Sequence, residues 1–391
     1  MTEAALALED GSVFVGRPFG ALTDVDAEVV FNTGITGYQE VATDPSYRGQ
    51  MVVMTHPQIG NYGVAASGDE SVRPWVAALI VRELASHPNH WEASGTLEDF
   101  LHTWGVPGLE GIDTRAVVKR LRDSGTQRGV LRQASKKGGF SPAELEQLKQ
   151  AAKQAPMVSQ LELVSDVSAV LPVKEQGEVA LLDCGAKWNI VRSLQSRGVR
   201  PRIFPWTATA EEILETRPKA ILVSNGPGDP AKLDNVVEQV RKLVPSGVPL
   251  LGICLGHQVL GLAAGAQTAR LPYGHHGGNH PVRELQTGRV TITTQNHEFQ
   301  VLAGTLPASS GFEVSHINLN DGSVEGLKHR ELPVFSVQYH PEGAPGPQDS
   351  QGLFDDLLGI AGVGSWELGV GEALRTPNPK SQLLTPRAER A

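Results

Sequence analysis

The chain has 391 residues, enough for two domains with sizeable cores. Its formal net charge of -9, with no long basic run, argues against nucleic acid or an anionic membrane surface as its main partner. Two cysteines cannot build a disulfide framework, so we expect a reducing, cytoplasmic compartment. The start of the chain lacks the pattern of a secretory signal, and no apolar stretch approaches the roughly 20 residues that span a bilayer.

The first part of the chain predicts an amino-terminal mixed β/α domain over residues 1–135. Short β-rich runs such as residues 51–55 alternate there with turns, and a helical pattern follows at residues 115–122. Residues 136–177 carry Ser, Lys, Gln and Pro clusters around one helical run, residues 143–153. We interpret them as a connecting segment.

The second part predicts an open, mostly parallel α/β sheet within residues 178–365. Short apolar runs, such as residues 220–223 and 248–253, alternate there with helical patterns, such as residues 233–244. One helix start is clear, because Thr209 and Glu212 have the spacing of a capping box.

The end of the chain changes pattern beyond residue 266, where strands and loops are expected. Apolar and polar residues alternate over residues 334–340, which predicts a half-buried strand with His340 on its polar face. A short helix should follow around Leu353 to Leu358. Residues 366–391 are poor in periodic apolar residues and predict a loosely docked tail.

Cys254 is the leading candidate for a catalytic nucleophile. It lies in Gly-Ile-Cys-Leu-Gly, residues 252–256, between an apolar run and a helical pattern. Strand, sharp turn and helix form the elbow that exposes a nucleophile in Gly-x-Ser-x-Gly hydrolases. The helix N-terminus favours a thiolate, so we expect an ionised sulfur open to substrate. The alternative is that Cys254 is a buried structural cysteine. We interpret Cys184 as a cysteine of that kind.

A cysteine that attacks an acyl group needs an acid and base, and donors for the oxyanion. His340 and Glu342 fit the first need, because a carboxylate two residues on can orient the ring, although a surface histidine before a turn would look the same. For the oxyanion we expect the N–H of Leu255 and one N–H from residues 226–228. That Gly-Pro-Gly loop follows a strand at the same sheet edge, although a plain tight turn is the alternative.

Metal and nucleotide sites are not expected on this chain. The histidines of residues 275–280 are interrupted by glycines, which argue against a helix presenting two of them on one face. No phosphate-binding glycine motif is present.

Three segments together resemble the class I glutamine amidotransferases: Asn-Gly-Pro-Gly-Asp-Pro at residues 225–230, Gly-Ile-Cys-Leu-Gly-His-Gln at 252–258 and Gln-Tyr-His-Pro-Glu at 338–342. The first part narrows the resemblance to the small subunit of carbamoyl-phosphate synthetase. Its motifs are Phe-Asn-Thr-Gly-Ile-Thr-Gly-Tyr-Gln-Glu at residues 31–40, Thr-Asp-Pro-Ser-Tyr at 43–47, Gly-Asn-Tyr-Gly at 60–63 and Gly-Ile-Asp-Thr-Arg at 111–115.

This resemblance implies that Cys254, His340 and Glu342 form a triad that hydrolyses L-glutamine to glutamate and ammonia through a thioester. It also implies a glutamine pocket formed by Ser46, Gly226, Gly228, Leu255, Gln258, Asn296 and Phe299. One residue departs from the family pattern: Glu298 stands where the family usually has Gly, and its added carboxylate could weaken glutamine binding.

The resemblance further implies a partner, a large synthetase subunit that binds ATP, Mg and bicarbonate and receives ammonia through a closed passage. A heterodimer, or a tetramer of heterodimers, is the corresponding assembly, and the carbamoyl phosphate formed would serve arginine and pyrimidine biosynthesis. Two alternatives remain open: a catalytically silent scaffold or regulatory subunit, and a free-standing cysteine peptidase or amidase. The first should lack a triad residue, and the second leaves the amino-terminal domain without a role.

Overall fold

The computed structural model describes residues 3–134, 139–168 and 177–363. Its amino-terminal part is built around a closed β-barrel with the strand order β1-β2-β8-β6-β4-β3-β9. The elements of this part are β1 (Ala4–Leu8), β2 (Val13–Gly20), β3 (Val25–Asn32), α1 (Tyr38–Thr43), β4 (Gln50–Met54), β5 (Gln58–Ile59), β6 (Ala78–Ile80), β7 (Glu83–Leu84), α2 (Leu97–Thr103), β8 (Pro107–Glu110), α3 (Thr114–Ser124) and β9 (Gln127–Gln133).

The barrel strands are apolar on both faces because the barrel is covered from outside as well as filled from inside. All five residues of β1 are buried, as are all five of β4. One set of side chains, including Leu6 and Met51, packs with Val117 and Leu121 of α3. A strand buried on both faces reads as a continuous apolar run, which explains the pattern of residues 51–55.

The connecting region packs against both parts of the molecule. Its helices are α4 (Pro142–Ala152) and α5 (Val164–Ser168). Leu148 and Ala152 of α4 contact Ala5, Ala7 and Val130 of the barrel. Residues 142–152 thus pack on the barrel, whereas Val158 and Leu163 lie between the two parts, because they pack with Phe299 and Val158 N donates to Glu28 of β3.

The second part contains a nine-stranded sheet with the order β11-β10-β12-β13-β18-β17-β16-β14-β15. The first five strands of this order are parallel, and the last four extend the sheet in antiparallel fashion. Its elements are β10 (Val179–Asp183), α6 (Trp188–Gln195), β11 (Pro201–Pro205), α7 (Ala210–Glu215), β12 (Ala220–Val223), α8 (Asp234–Leu243), β13 (Leu250–Ile253), α9 (Leu255–Ala263), β14 (Thr268–Glu284), β15 (Val290–Val301), β16 (Phe312–Asn318), β17 (Val324–His329), β18 (Val334–Val337) and α10 (Gly352–Ala361).

The predicted α/β class is confirmed, and the capping box forms as expected, with Thr209 and Glu212 bonding reciprocally at the start of α7. One local expectation is wrong. The strand that leads to His340 is not half-buried: Ser336, Gln338 and His340 are all at most 1% exposed. β18 lies between β13 and β17 inside the sheet, so its polar side chains face other buried polar groups instead of water.

No helix of the described residues is long and apolar enough to cross a membrane. The predicted tail, residues 366–391, lies outside the described residues.

Candidate active site

Cys254 occupies a sharp elbow between β13 and α9. Its backbone has φ 53° and ψ -103°, a conformation that is costly for a residue with a side chain. Gly252 and Gly256 make the elbow possible, because the chain doubles back on itself there. A Cβ on Gly256 would lie 2.2 Å from the carbonyl oxygen of Val223, and one on Gly252 would lie 2.6 Å from that of Gly256.

His340 and Glu342, which the sequence predicts to act as a catalytic pair, lie in contact with each other. Nδ1 of His340 lies 2.7 Å from Oε1 of Glu342, and both residues are at most 1% exposed. The backbone N–H of His340 donates to Thr294 of β15. With Nδ1 committed to the carboxylate, Nε2 has no hydrogen-bond partner among the described residues.

Lys187 completes this buried charge system, and our sequence analysis missed it. Its Nζ lies 2.7 Å from Oε1 of Glu342 and donates to the carbonyl of Ala344 at 2.6 Å. Asn189 Nδ2 also donates to the Glu342 carbonyl. The available signal was positional, because Lys187 closely follows the carboxyl end of β10, the sheet edge on which the Cys254 elbow also lies.

The electrostatics of the triad follow from these contacts. Burial disfavours the charged ring, but Glu342 and the sulfur of Cys254 outweigh it and raise the pKa of His340 to about 10. Burial also disfavours the charged carboxyl, yet Lys187 and His340 lower the pKa of Glu342 to about 2. At neutral pH the site therefore holds an imidazolium beside the sulfur, with a carboxylate and an ammonium behind it.

The sulfur is not open to solvent, contrary to our expectation. Cys254 is 2% exposed and faces a cavity of only about 20 Å³, room for about one water molecule. Sγ lies 3.6 Å from the carbonyl oxygen of Asn296. Val158 of the connecting region also lines this cavity and packs with Leu163 and Phe299. Glutamine is far larger than one water, so it can enter only after such lining groups move.

Most residues of the predicted glutamine pocket line this cavity together with Cys254. They are Ser46, Gly226, Gly228, Gln258, Asn296 and Phe299. Leu255 is the exception. Its side chain is 1% exposed and packs in the sheet core, so only its backbone is available to a substrate. Gly226 passes close to it, since a Cβ on Gly226 would lie 2.8 Å from Leu255 Cδ2.

Buried hydrogen bonds between the two domains hold the pocket side chains in place. Asn225 Nδ2 donates to Ser46 Oγ at 2.9 Å, and Asn296 Nδ2 donates to Asp44 Oδ2 at 2.9 Å. Gln258 Nε2 donates to the Phe299 carbonyl at 2.9 Å. The sequence alone could not assign Asp44 to this network, because its partner is distant in the chain.

The Glu298 carboxylate also lines the cavity, but it is neutralised. It lies 2.7 Å from His276 Nε2 and accepts from Arg270 Nη2 and Thr126 Oγ1, each at 3.0 Å. It therefore does not present an unpaired negative charge to a substrate carboxylate.

A second, larger cavity of about 290 Å³ lies on another side of the triad. His340, Lys187 and Asn296 line its inner end, and the loop around Ile35, which is 76% exposed, lines another part of it. Asn296 is thus common to both cavities.

The histidines of residues 275–280 lie on β14, as their glycines lead one to expect, and not on a helix. His275, His297 and Glu325 come together, with possible ligand atoms within 4.8 Å of one another. His275 Nδ1 lies 3.7 Å from Glu325 Oε1, and its Nε2 is paired with Asp321 at 2.9 Å.

Comparison with known proteins agrees with this architecture. Residues 6–131 match the family model for the carbamoyl-phosphate synthase small chain, CPSase domain, and residues 180–360 match that for glutamine amidotransferase class-I. Carbamoyl phosphate synthase small chains from three bacteria are similar over nearly their whole length. That of Symbiobacterium thermophilum is 49% identical over 90% of this chain and 97% of its own.

The small chains of Bacillus caldolyticus and Clostridium perfringens are 45% and 46% identical, covering 91% and 92% of this chain and 95% and 99% of their own. Such identity across both domains, together with a buried Cys–His–Glu constellation on a strand–elbow–helix, leads to one conclusion. The chain belongs to the carbamoyl-phosphate synthase small-chain family and carries a class-I glutamine amidotransferase domain.

Proposed function

We propose that this chain is the glutaminase subunit of a carbamoyl-phosphate synthase, with Cys254, His340 and Glu342 as its catalytic triad. The observation that carries the proposal is the geometry of the elbow. A thiol lies at the start of α9, and Nδ1 of the buried His340 imidazole is held by the buried Glu342 carboxylate, while its Nε2 has no other hydrogen-bond partner among the described residues. Strained backbone of this kind, here a φ of 53° at Cys254, clusters at active sites, which supports a role of the thiol in covalent chemistry.

In the first half of the reaction, Cys254 Sγ attacks the side-chain amide carbon of glutamine. The carbonyl π electrons move to oxygen, and backbone N–H groups of Leu255 and the Gly226 loop stabilise the oxyanion. The oxyanion then re-forms the carbonyl and expels the amide nitrogen, which takes a proton from His340 Nε2 and leaves as ammonia. The product is a glutamyl thioester on Cys254.

In the second half, a water molecule attacks the thioester. His340 Nε2, now neutral, accepts the proton of this water, and the sulfur leaves the acyl carbon, which restores the starting state of the site and releases glutamate. Glu342 keeps the imidazole oriented throughout and stabilises its positive form. Lys187 acts on Glu342 and is therefore a positioning residue.

The ammonia formed is proposed to pass through the larger cavity to a large subunit. That cavity contacts His340, the group that protonates the leaving nitrogen. Neutral ammonia must be kept from bulk water if it is to react further. ATP, Mg and bicarbonate are assigned to the large subunit, which makes the complex a ligase, and the cytoplasm is the proposed compartment. Glutamine as substrate and a heterodimer or larger assembly belong to the same proposal.

The test uses Cys254→Ser in the complex with the large subunit. Glutamine-dependent synthesis of carbamoyl phosphate should be abolished, while synthesis from added ammonia should persist at the wild-type rate. A variant that still used glutamine would eliminate the proposed mechanism. Loss of both activities would point to an indirect effect on the partner.

Cys184→Ser is the matched control, because Cys184 is also buried but packs in the hydrophobic core of the second domain. It should retain glutamine use. Failure of the wild-type complex to use glutamine would instead favour the silent scaffold that the sequence left open.

A further inference from the structure

Glu298 is an acidic residue in the wall of the pocket for which the proposed reaction has no role. It is 5% exposed, and both of its carboxylate oxygens have partners. One of these partners, His276, is 2% exposed and lies in the same cavity wall. Gly274 leaves space for this pair, because a Cβ there would lie 2.5 Å from His276 Nε2 and 2.6 Å from Glu298 Oε1.

The hydrogen bonds around His276 fix its protonation. Nε2 faces the Glu298 carboxylate at 2.7 Å, and Nδ1 faces the Asn296 side-chain oxygen at 3.0 Å. That oxygen cannot be exchanged with the amide nitrogen, since the nitrogen must donate to the acceptor-only carboxylate of Asp44. Both ring nitrogens of His276 therefore face acceptors, and both bonds require a proton on each nitrogen.

The remaining neighbours of the ring do not replace either acceptor. Tyr47 stacks on it with centroids 5.9 Å apart, and Phe31 lies edge-on at 6.5 Å. Burial lowers the pKa of the nearby His280 to about 4 and that of His297 well below its ordinary range, so these rings are neutral. Glu298 is the carboxylate that compensates a positive charge on His276.

The consequence reaches the nucleophile through Asn296. Its side-chain oxygen is bound by His276 and its side-chain nitrogen by Asp44, so the amide is held at both ends. The carbonyl oxygen of the same residue lies 3.6 Å from Cys254 Sγ, and Asn296 lines both cavities. The main-chain groups of Asn296 therefore remain available to a substrate. The bound side chain fixes the position of these groups.

We propose that Glu298 is a positioning residue of the glutamine pocket: it keeps His276 a donor at both nitrogens and thereby fixes the Asn296 backbone beside Cys254. This inference rests on the proposed glutaminase function. It also reverses the expectation that the added carboxylate weakens binding.

A purely structural role is the competing explanation, because the same carboxylate links the two domains. Arg270 Nη2 lies 2.5 Å from Glu28 Oε1 on β3 as well as 3.0 Å from Glu298, and Thr126 donates from the barrel side. A role of that kind would change stability and leave the affinity of the folded protein for glutamine unaltered.

The first experiment measures glutamine-dependent kinetics of Glu298→Gln in the complex with the large subunit. A neutral amide of the same size cannot stabilise a charged ring, so KM for glutamine should rise by about tenfold, as expected for loss of one charge-assisted hydrogen bond. The kinetics with added ammonia should be unchanged. The matched control is Thr126→Val, which removes a contact to the same carboxylate without touching His276.

An unchanged KM in Glu298→Gln, or an equal rise in Thr126→Val, would overturn the proposal. A double-mutant cycle with His276→Gln supplies a further check, because two residues that act through one path should not have additive effects.

The second experiment does not depend on activity. Nitrogen NMR of histidine-labelled protein, recorded in the buffer of the kinetic assays, should show a hydrogen on both ring nitrogens of His276 in the wild type and on only one of them in Glu298→Gln. His276→Gln identifies the signal. A neutral ring in the wild type would refute the positioning role even if glutamine is hydrolysed. A charged ring without glutamine hydrolysis would refute only the proposed function.

Discussion

Lys187 shows how much of the proposed triad depends on a residue outside it. Its ammonium group is 1% exposed, and burial opposes its charge, but Glu342, Asp44 and Glu70 surround it and raise its pKa. Glu342 thus receives positive charge from both sides, from Lys187 and from His340. Removing one member of such a set leaves an uncompensated charge without access to water.

We therefore expect Lys187→Met to lower the free energy of unfolding by about 3–5 kcal/mol, the usual cost of breaking a buried ion pair. Urea denaturation of the isolated chain measures this change in the free energy of unfolding. Lys219→Met is the matched control: Lys219 lies 2.6 Å from Glu178, but both side chains are about half exposed, at 51% and 52%. That exposed pair should contribute only ~0–1 kcal/mol. Equal losses in the two variants would contradict the buried-charge account.

At the scale of elements, β13 and α9 are joined without any loop. The carboxyl end of β13 bonds to β18, where Cys254 N donates to the Val337 carbonyl. The first turn of α9 lies against the end of β12, where Gly256 N donates to the Ser224 carbonyl. The elbow is therefore held by hydrogen bonds to two neighbouring strands. These bonds stabilise its strained backbone conformation.

Gly256→Ala tests this arrangement. The new Cβ would lie 2.2 Å from the Val223 carbonyl oxygen, so the helix must shift, and we expect loss of glutamine hydrolysis with a lower melting temperature. Gly359→Ala in α10 is the control, because nothing lies within 4 Å of its Cβ. That change should raise the free energy of unfolding by roughly 0.5–1 kcal/mol, since alanine is the better helix former. A fully active Gly256→Ala enzyme would show that the close approach is not required.

The same scale shows what sequence patterns could predict. The helix cap at Thr209 and the strand that begins at Ala220 give signals in neighbouring residues of the chain. Local sequence patterns therefore predicted both. The burial of the strand before His340 depends on β13 and β17 on either side, and alternation alone gave the wrong exposure.

The residues of the candidate site also fall into two groups, those that local sequence signals predict and those whose partners lie elsewhere in the fold. The spacing around Cys254 and that of His340 with Glu342 are local signals. The partners of Glu298 and Asn296 are not. His276 lies on the adjacent strand, but Asp44 and Thr126 belong to the other domain. Burial of the sulfur also could not be predicted, because Val158, which helps to enclose it, comes from the connecting region.

For the whole molecule, the proposed glutamine pocket lies where the two domains meet. The second domain supplies Cys254, and the barrel side supplies Ser46 and Asp44. The bond from Asn225 to Ser46 joins the proposed oxyanion loop to the amino-terminal domain directly. The proposed function therefore includes a part for the amino-terminal domain in substrate binding.

Ser46→Ala should therefore raise KM for glutamine by about 2- to 10-fold with little change in kcat, the effect of losing one neutral hydrogen bond. Steady-state glutaminase assays of the complex measure it. Ser71→Ala is the control. Ser71 has the same 8% exposure and the same domain, but it donates to the Thr43 carbonyl away from the cavity. If Ser71→Ala raised KM equally, the effect would reflect the domain and not the pocket.

The closed ring of the amino-terminal strands has a consequence for assembly. Each of its seven strands, from β1 round to β9, has a hydrogen-bonded neighbour on both sides. An incoming polypeptide consequently finds no unsatisfied backbone along this ring to which it could add as an eighth strand. A protein that attaches to this ring must recognise its loops and side chains, so its specificity will be sensitive to point substitutions on that surface.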